Sequence, residues 1–61
     1  MDKKITLDLS ELDGNSFCLI GAFSKQAKRE DWTEEEIREV LDECKKGDYN
    51  HLLQTLIKHT E

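Results

Sequence analysis

The sequence predicts a mostly helical α+β domain in which one N-terminal strand precedes three short amphipathic helices, in the order β-α-α-α. Three observations support this order. Apolar residues alternate over residues 4–9, apolar residues recur at helical spacing in three later segments, and no proline interrupts any of them. The 61 residues are expected to form a single domain, 1–61, because so short a chain can build only one small core.

The predicted strand presents an edge with no partner elsewhere in the sequence. Its edge residues are Ile5, Thr6, Leu7, Asp8 and Leu9. No second run alternates in the same way, and an unpaired strand edge tends to pair with another chain. Because two-fold symmetric dimers are the commonest assembly, we expect two copies of this strand to pair antiparallel across a homodimer.

A first helix is expected from about Ser16 to about Glu30. Its apolar stripe follows helical spacing and consists of Phe17, Ile20, Ser24 and Ala27, and Leu19, Ala22 and Phe23 widen it into a broad apolar face. Gly21 costs about 1 kcal/mol relative to alanine inside a helix, which suggests that another backbone approaches it closely. Three basic residues near the end suit the negative end of the helix dipole. These are Lys25, Lys28 and Arg29.

The second helix has the clearest start signal in the chain. Thr33 and Glu36 form a capping box, in which each side chain can accept a hydrogen bond from the backbone of the other residue. Trp32 precedes the cap and can pack on Ile37 as a hydrophobic staple. The stripe that follows is Ile37, Val40, Leu41 and Cys44. Gly47 is expected to end this helix in the left-handed conformation.

Asp48 is expected to cap the third helix through its side chain. The apolar residues that follow lie at i, i+3, i+4, i+7 and i+8, which is a full amphipathic pattern. They are Tyr49, Leu52, Leu53, Leu56 and Ile57.

Composition narrows the classes of function. The net charge of −5 makes nucleic acid an unlikely partner, since such binders carry a basic surplus. No apolar run approaches the roughly 20 residues of a membrane span, and the first residues do not resemble a secretory signal. Cys18 and Cys44 are expected to be free, buried thiols. These features predict a cytoplasmic protein that does not bind membranes.

Two groups of residues are candidates for binding a partner protein. The first is acidic and lies on the second helix: Glu35, Glu39 and Asp42. Such acidic runs are more often an ordinary solvated helix face than a binding surface. The second group is aromatic and comprises Trp32 and Tyr49, which are residue types enriched at interface hot spots. For Trp32, the staple beside the capping box is the preferred interpretation.

The sequence indicates no chemistry. The two cysteines and two histidines lack the spacing of metal ligands, so no metal site is expected. A Cys44–His51 pair is conceivable between neighbouring helices, but Cys44 belongs to an apolar stripe, where thiols are usually inert. No phosphate-binding loop or nucleophile motif occurs. We therefore expect no catalytic residues, no cofactor and no enzymatic activity.

Three segments together resemble small proteins encoded by tailed bacteriophages and prophages. They are residues 12–21, residues 32–37 and residues 47–53, and the matching features are the Gly-Asn-x-Phe start of the first helix and the Gly-Asp-Tyr start of the third. The resemblance extends over nearly the whole chain. It implies a phage or prophage origin and an accessory or host-directed role, but it supplies no active site.

Three hypotheses follow. The leading one is a non-enzymatic phage or prophage accessory protein that binds a host or phage protein, as a homodimer, in the cytoplasm of the bacterial host. The first alternative is an acidic inhibitor that imitates nucleic acid and blocks a host nucleic-acid-binding or defence protein. The second alternative is a small regulator that contacts DNA through Lys25, Lys28 and Arg29.

Overall fold

The computed structural model describes residues 3–61, which form three α-helices. These are α1 (Ser16–Arg29), α2 (Glu34–Cys44) and α3 (Tyr49–Lys58), and a short 3-10 turn (Leu9–Glu11) precedes α1. The three expected helical segments are confirmed, with α2 packed mainly against α3. The predicted N-terminal strand is wrong, because residues 3–61 contain no strand.

The N-terminal segment pairs with the C-terminal end of its own chain. The Ile5 N–H donates to the His59 carbonyl at 2.8 Å, and the Glu61 N–H donates to the Ile5 carbonyl at 2.9 Å. The two hydrogen bonds form a single parallel bridge between Ile5 and Thr60. The Ile5 backbone, which was expected to pair with a second copy, is therefore satisfied within one chain.

This bridge corrects the prediction of a strand paired across a homodimer, which was assigned to Ile5, Thr6, Leu7, Asp8 and Leu9. The alternation has another cause. Ile5 is fully buried in the core, while Leu7 and Leu9 pack against the edge of that core. The partner segment could not be recognised because it is only a few residues long and follows a helix, where no alternating pattern can develop.

A Schellman motif ends α1 and connects it to α2. The Trp32 N–H donates to the Ala27 carbonyl at 3.0 Å, and the Asp31 N–H donates to the Lys28 carbonyl at 3.1 Å. Asp31 takes the left-handed conformation, with φ at 65°, in a position that glycine usually occupies. The predicted capping box then begins α2, since Thr33 and Glu36 exchange hydrogen bonds of 2.8 and 3.2 Å.

The core buries only one side of the broad apolar face expected for α1, and the expected burial of Phe17 is wrong. The buried stripe is Leu19, Phe23 and Ala27, whereas Phe17 is 84% exposed. Cys18 is exposed as well, although a buried thiol was predicted there. Apolar residues cover so much of α1 that either of two apolar stripes could have faced the core. The stripe that is buried contains Phe23, whose ring meets the Trp32 ring edge to face at 5.6 Å.

The turn between α2 and α3 corrects the expected role of Gly47. No glycine among the described residues has a positive φ. What excludes a side chain at Gly47 is the close approach of His51, since an added Cβ would lie 2.7 Å from its Cβ and 2.8 Å from its Cγ. Asp48 caps α3 as predicted, by accepting from the His51 N–H at 3.0 Å.

We expect Asp31→Gly to raise the free energy of unfolding by about 0.5–1 kcal/mol, because glycine adopts the left-handed conformation without a steric penalty. Urea unfolding measures the change. Asp31→Asn serves as the control, since it removes the charge but keeps a side chain, and it should stabilise less than glycine does. Equal stability of the glycine variant and the wild type would contradict the prediction.

We expect Gly47→Ala to lower the free energy of unfolding by about 1–3 kcal/mol, the usual cost of forcing atoms into occupied space. The added Cβ meets atoms close to the His51 backbone, which cannot swing away. Because His51→Ala by itself removes the hydrogen bonds to Glu43, it serves as the reference, and adding Gly47→Ala to it should cost less than Gly47→Ala costs the wild type, since the Cγ contact is gone. Thermal unfolding followed by circular dichroism measures both costs.

Candidate functional site

A polar groove lies between α2, α3 and the N-terminal segment, with a volume of about 560 Å³. Its charged side chains are of both signs: Lys4 and Lys58 face Glu39 and Glu43. Opposite charges of equal number give the groove no net preference for a cation or an anion. Within residues 3–61, no three His, Cys, Asp or Glu side chains lie together as a metal ion would require.

His51 and Glu43 form a close pair at the wall of the polar groove. The His51 Nε2 lies 2.9 Å from the Glu43 Oε2 and 3.0 Å from the Glu43 carbonyl oxygen. A protonated Nε2 can donate to both, which ties α3 to the last turn of α2. The hydrogen bond from His51 is the main reason that the pKa of Glu43 is lowered. The geometry is that of a cap at a helix C-terminus.

The Cys44–His51 pair considered above does not form. The Cys44 Sγ faces the Leu52 carbonyl oxygen at 4.0 Å, while the His51 ring faces Glu43. Burial raises the pKa of the Cys44 thiol, which disfavours the thiolate that a nucleophile requires. The one hydroxyl in the groove wall, on Thr55, donates to the His51 carbonyl at 2.8 Å. These contacts hold helices together.

Six glutamate and aspartate residues among the described residues form two sets that differ in what they contact. In the first set, Glu30 accepts from the Thr6 N–H at 2.9 Å and from the Gln26 amide at 2.8 Å. Glu36 pairs with Lys3 at 2.8 Å. These hydrogen bonds, from Gln26 and from Lys3 in the first place, lower the pKa of Glu30 and of Glu36. Glu30, Glu36 and Glu43 thus hold parts of the fold together that are distant in sequence or on different helices.

The second set forms a surface that we call the acidic face, made of Glu35, Glu39 and Asp42. The three are exposed and lie at i, i+4 and i+7, on one side of α2. Among the ion pairs within residues 3–61, none involves these carboxylates. The capping box and the buried stripe of α2 hold the helix from its other side. The acidic face is therefore rigidly presented, and its carboxylates form no ion pair within residues 3–61, although Glu39 also lines the polar groove with Lys4 and Lys58.

The two aromatic candidates take different positions. Trp32 is only 7% exposed and packs against Phe23, so it is a core residue and offers no surface to a partner. Tyr49 is 46% exposed, and its hydroxyl donates to the Gly14 carbonyl. That bond places the start of α3 beside the start of α1. The structure thus does not unite Trp32, Tyr49 and the acidic face in one site.

Sequence reasoning missed Phe17, whose side chain is the most exposed of the large apolar ones in residues 3–61. It lies in the first turn of α1, where its N–H donates to the capping side chain of Asn15 at 2.8 Å. The sequence did hold a signal, since Leu19, Phe23 and Ala27 form a second stripe at i, i+4 and i+8. That stripe could have been preferred over the one that begins at Phe17.

Comparisons with known proteins add no assignment: no family model, no curated protein and no solved structure matches this chain. None of the helices described in residues 3–61 has the length and apolar character needed to cross a membrane. The geometry of the described residues must therefore carry the functional interpretation.

Stability should fall as the pH drops below about 4, the region in which glutamate titrates. The folded state lowers the pKa of Glu30, Glu36 and Glu43, so their contribution is complete above the unfolded pKa and is lost as the pH falls through the folded values. Replacing all three by glutamine should flatten this loss in urea unfolding measured across the acid range.

The control for this measurement neutralises the acidic face instead, with Glu35→Gln, Glu39→Gln and Asp42→Asn. It removes the same number of charges but none of the contacts just described. We expect its stability to fall with pH as steeply as that of the wild type. An equal flattening in both triple variants would mean that overall charge, and not the contacts of Glu30, Glu36 and Glu43, sets the acid dependence.

Proposed function

We propose that this chain is a non-enzymatic binding protein that docks the acidic face of α2 on a basic surface of another protein. The observation that carries this proposal is the contrast between the two sets of carboxylates. Glu30, Glu36 and Glu43 have partners within the fold. Glu35, Glu39 and Asp42 are exposed, and none of the ion pairs within residues 3–61 includes them.

The rigidity of α2 supports the proposal. Its first turn is closed by the capping box of Thr33 and Glu36, and its last turn is tied to His51. A charged surface on a rigid helix loses little conformational entropy on binding, which preserves affinity. Exposed carboxylates of one sign also speed the encounter with a basic surface.

A phage or prophage setting is part of the proposal, in the cytoplasm of the bacterial host. Its support is the resemblance of residues 12–21, 32–37 and 47–53 to small proteins of tailed bacteriophages. The basic partner is then a host or phage protein, and an accessory role without chemistry agrees with the use of the polar groove to hold α2 and α3 together.

Nucleic-acid mimicry is the more specific form of this function. At a rise of 1.5 Å per residue, Glu35 and Asp42 are separated by about 10 Å along α2, with Glu39 about 6 Å from the first. Phosphates along one strand of duplex DNA rise by about 3.4 Å each, so the three carboxylates span roughly three phosphate steps. A partner that ordinarily binds nucleic acid would accept such a row of charges, and duplex DNA would compete with this protein for it.

The acidic face should be required for capturing a partner from bacterial host cells. We expect the immobilised wild type to retain a basic protein that elevated salt releases, since exposed charge pairs are screened. Glu35→Gln, Glu39→Gln and Asp42→Asn together should lower the affinity for the purified partner at least tenfold, as measured by calorimetry. Duplex DNA added in competition then tests mimicry.

The matched control removes three charges elsewhere, with Asp31→Asn, Glu34→Gln and Glu61→Gln, all of which are exposed. It should bind the purified partner as the wild type does. Equal affinity of all three proteins would exclude the acidic face as the contact. Circular dichroism checks that each variant keeps its helices.

A further inference from the structure

We infer that two copies of this chain associate through α1, packed antiparallel about a two-fold axis, so that Phe17 of each copy lies over Gly21 of the other. The inference concerns α1 and goes beyond the proposed function, which uses α2. It also differs from pairing through the N-terminal segment, because Ile5 is already bonded to His59 and Glu61 within the chain.

The first observation is a protrusion and a recess on one face of a helix. Phe17 projects with 84% of its surface exposed, and Gly21 follows it by four residues, which places it on the same side of α1. Gly21 is exposed, and among the described residues nothing lies within 4 Å of a Cβ built on it. No contact inside the chain explains a glycine at this point, although glycine weakens a helix.

Two-fold symmetry makes these features complementary to themselves. When two antiparallel helices cross midway between residues 17 and 21, each Phe17 faces the Gly21 of the other copy. The missing Cβ lets the second helix approach closely enough for the phenyl ring to be covered. Both rings then leave water together, and the hydrophobic effect supplies the driving force.

The second observation is the distribution of charge along α1. The residues before the helix are acidic, with Glu11 and Asp13, and both are exposed. The last turns of α1 are basic, with Lys25, Lys28 and Arg29, which are also exposed. Antiparallel packing brings the acidic end of each copy toward the basic end of the other. Parallel packing would instead set like charges side by side, so charge selects the antiparallel arrangement.

This association assigns a role to residues that the rest of the structure leaves unexplained. Among the ion pairs within residues 3–61, none involves Lys25, Lys28 or Arg29. The acidic face of α2 contributes nothing to the contact between copies. A dimer would therefore present two acidic faces to a partner and bind more tightly than one copy if the partner carries two basic surfaces.

Sedimentation of the full chain over micromolar to millimolar concentration tests the inference. We expect a reversible monomer–dimer equilibrium that weakens as salt rises. Phe17→Ser should raise the dissociation constant roughly a hundredfold, since each dimer loses two buried rings. Gly21→Gln should abolish the dimer while leaving the monomer folded, because the structure has open space there and glutamine favours helix.

The control is Ile57→Ser, which removes an apolar side chain that is 53% exposed on α3. It should dimerise as the wild type does, and so should the variant with a neutral acidic face. If the variant with a neutral acidic face still forms dimers, the dimer does not depend on that face. The inference about α1 and the proposed function of α2 can then be tested separately.

Cys18 offers a second readout on the unaltered protein. It is exposed and directly follows Phe17 in the same turn of α1, beside the expected contact between copies, whereas Cys44 is buried. A short bismaleimide should therefore link two wild-type copies through Cys18 and should fail to link Phe17→Ser. A wild type that sediments only as a monomer, or a dimer that survives both Phe17→Ser and Gly21→Gln, would overturn the inference.

Discussion

The fold depends on the burial of Trp32 at the junction of α1 and α2. Its backbone N–H closes the Schellman motif of α1, and the next residue begins the capping box of α2. Its ring meets Phe23 and His59 edge to face, at 5.6 and 6.3 Å, and the Lys3 ammonium lies 5.5 Å above it. One side chain therefore connects the helices to both ends of the described chain. A core of only ten buried apolar residues supplies little stability and benefits from such a connection.

The closure of the two chain ends follows from this position. With His59 and Lys3 both held on the Trp32 ring, the His59 Nδ1 reaches the Lys3 carbonyl at 2.9 Å. Ile5 then enters the core, where its N–H and carbonyl must find partners because buried backbone groups are costly to leave unpaired. The residues after α3 supply them. The Ile5 backbone, which was expected to pair with a second copy, is thus bonded within the chain, beside the buried Trp32.

The sequence could predict what is decided locally. The capping box at Thr33, the cap at Asp48 and the three helical segments depend on residues within four positions of one another, and all are confirmed. The errors concern contacts between distant residues. Whether Phe17 or Leu19 faces the core is decided by Trp32 across the turn, and the pairing of Ile5 is decided by a segment 54 positions away. The pairing of Ile5 has no pattern in the sequence, and α1 has two apolar stripes between which its local spacing does not choose.

The candidate site shows the same division between local and distant contacts. The spacing of Glu35, Glu39 and Asp42 on one helix face was readable from the sequence, because helical geometry alone sets it. What the sequence could not show is which acids the fold already uses. Glu36 and Glu39 are both acids of α2, yet only Glu36 meets Lys3, which comes from the far end of the chain. Function in so small a protein is therefore best sought among the charged and apolar groups that remain after the fold has satisfied the others.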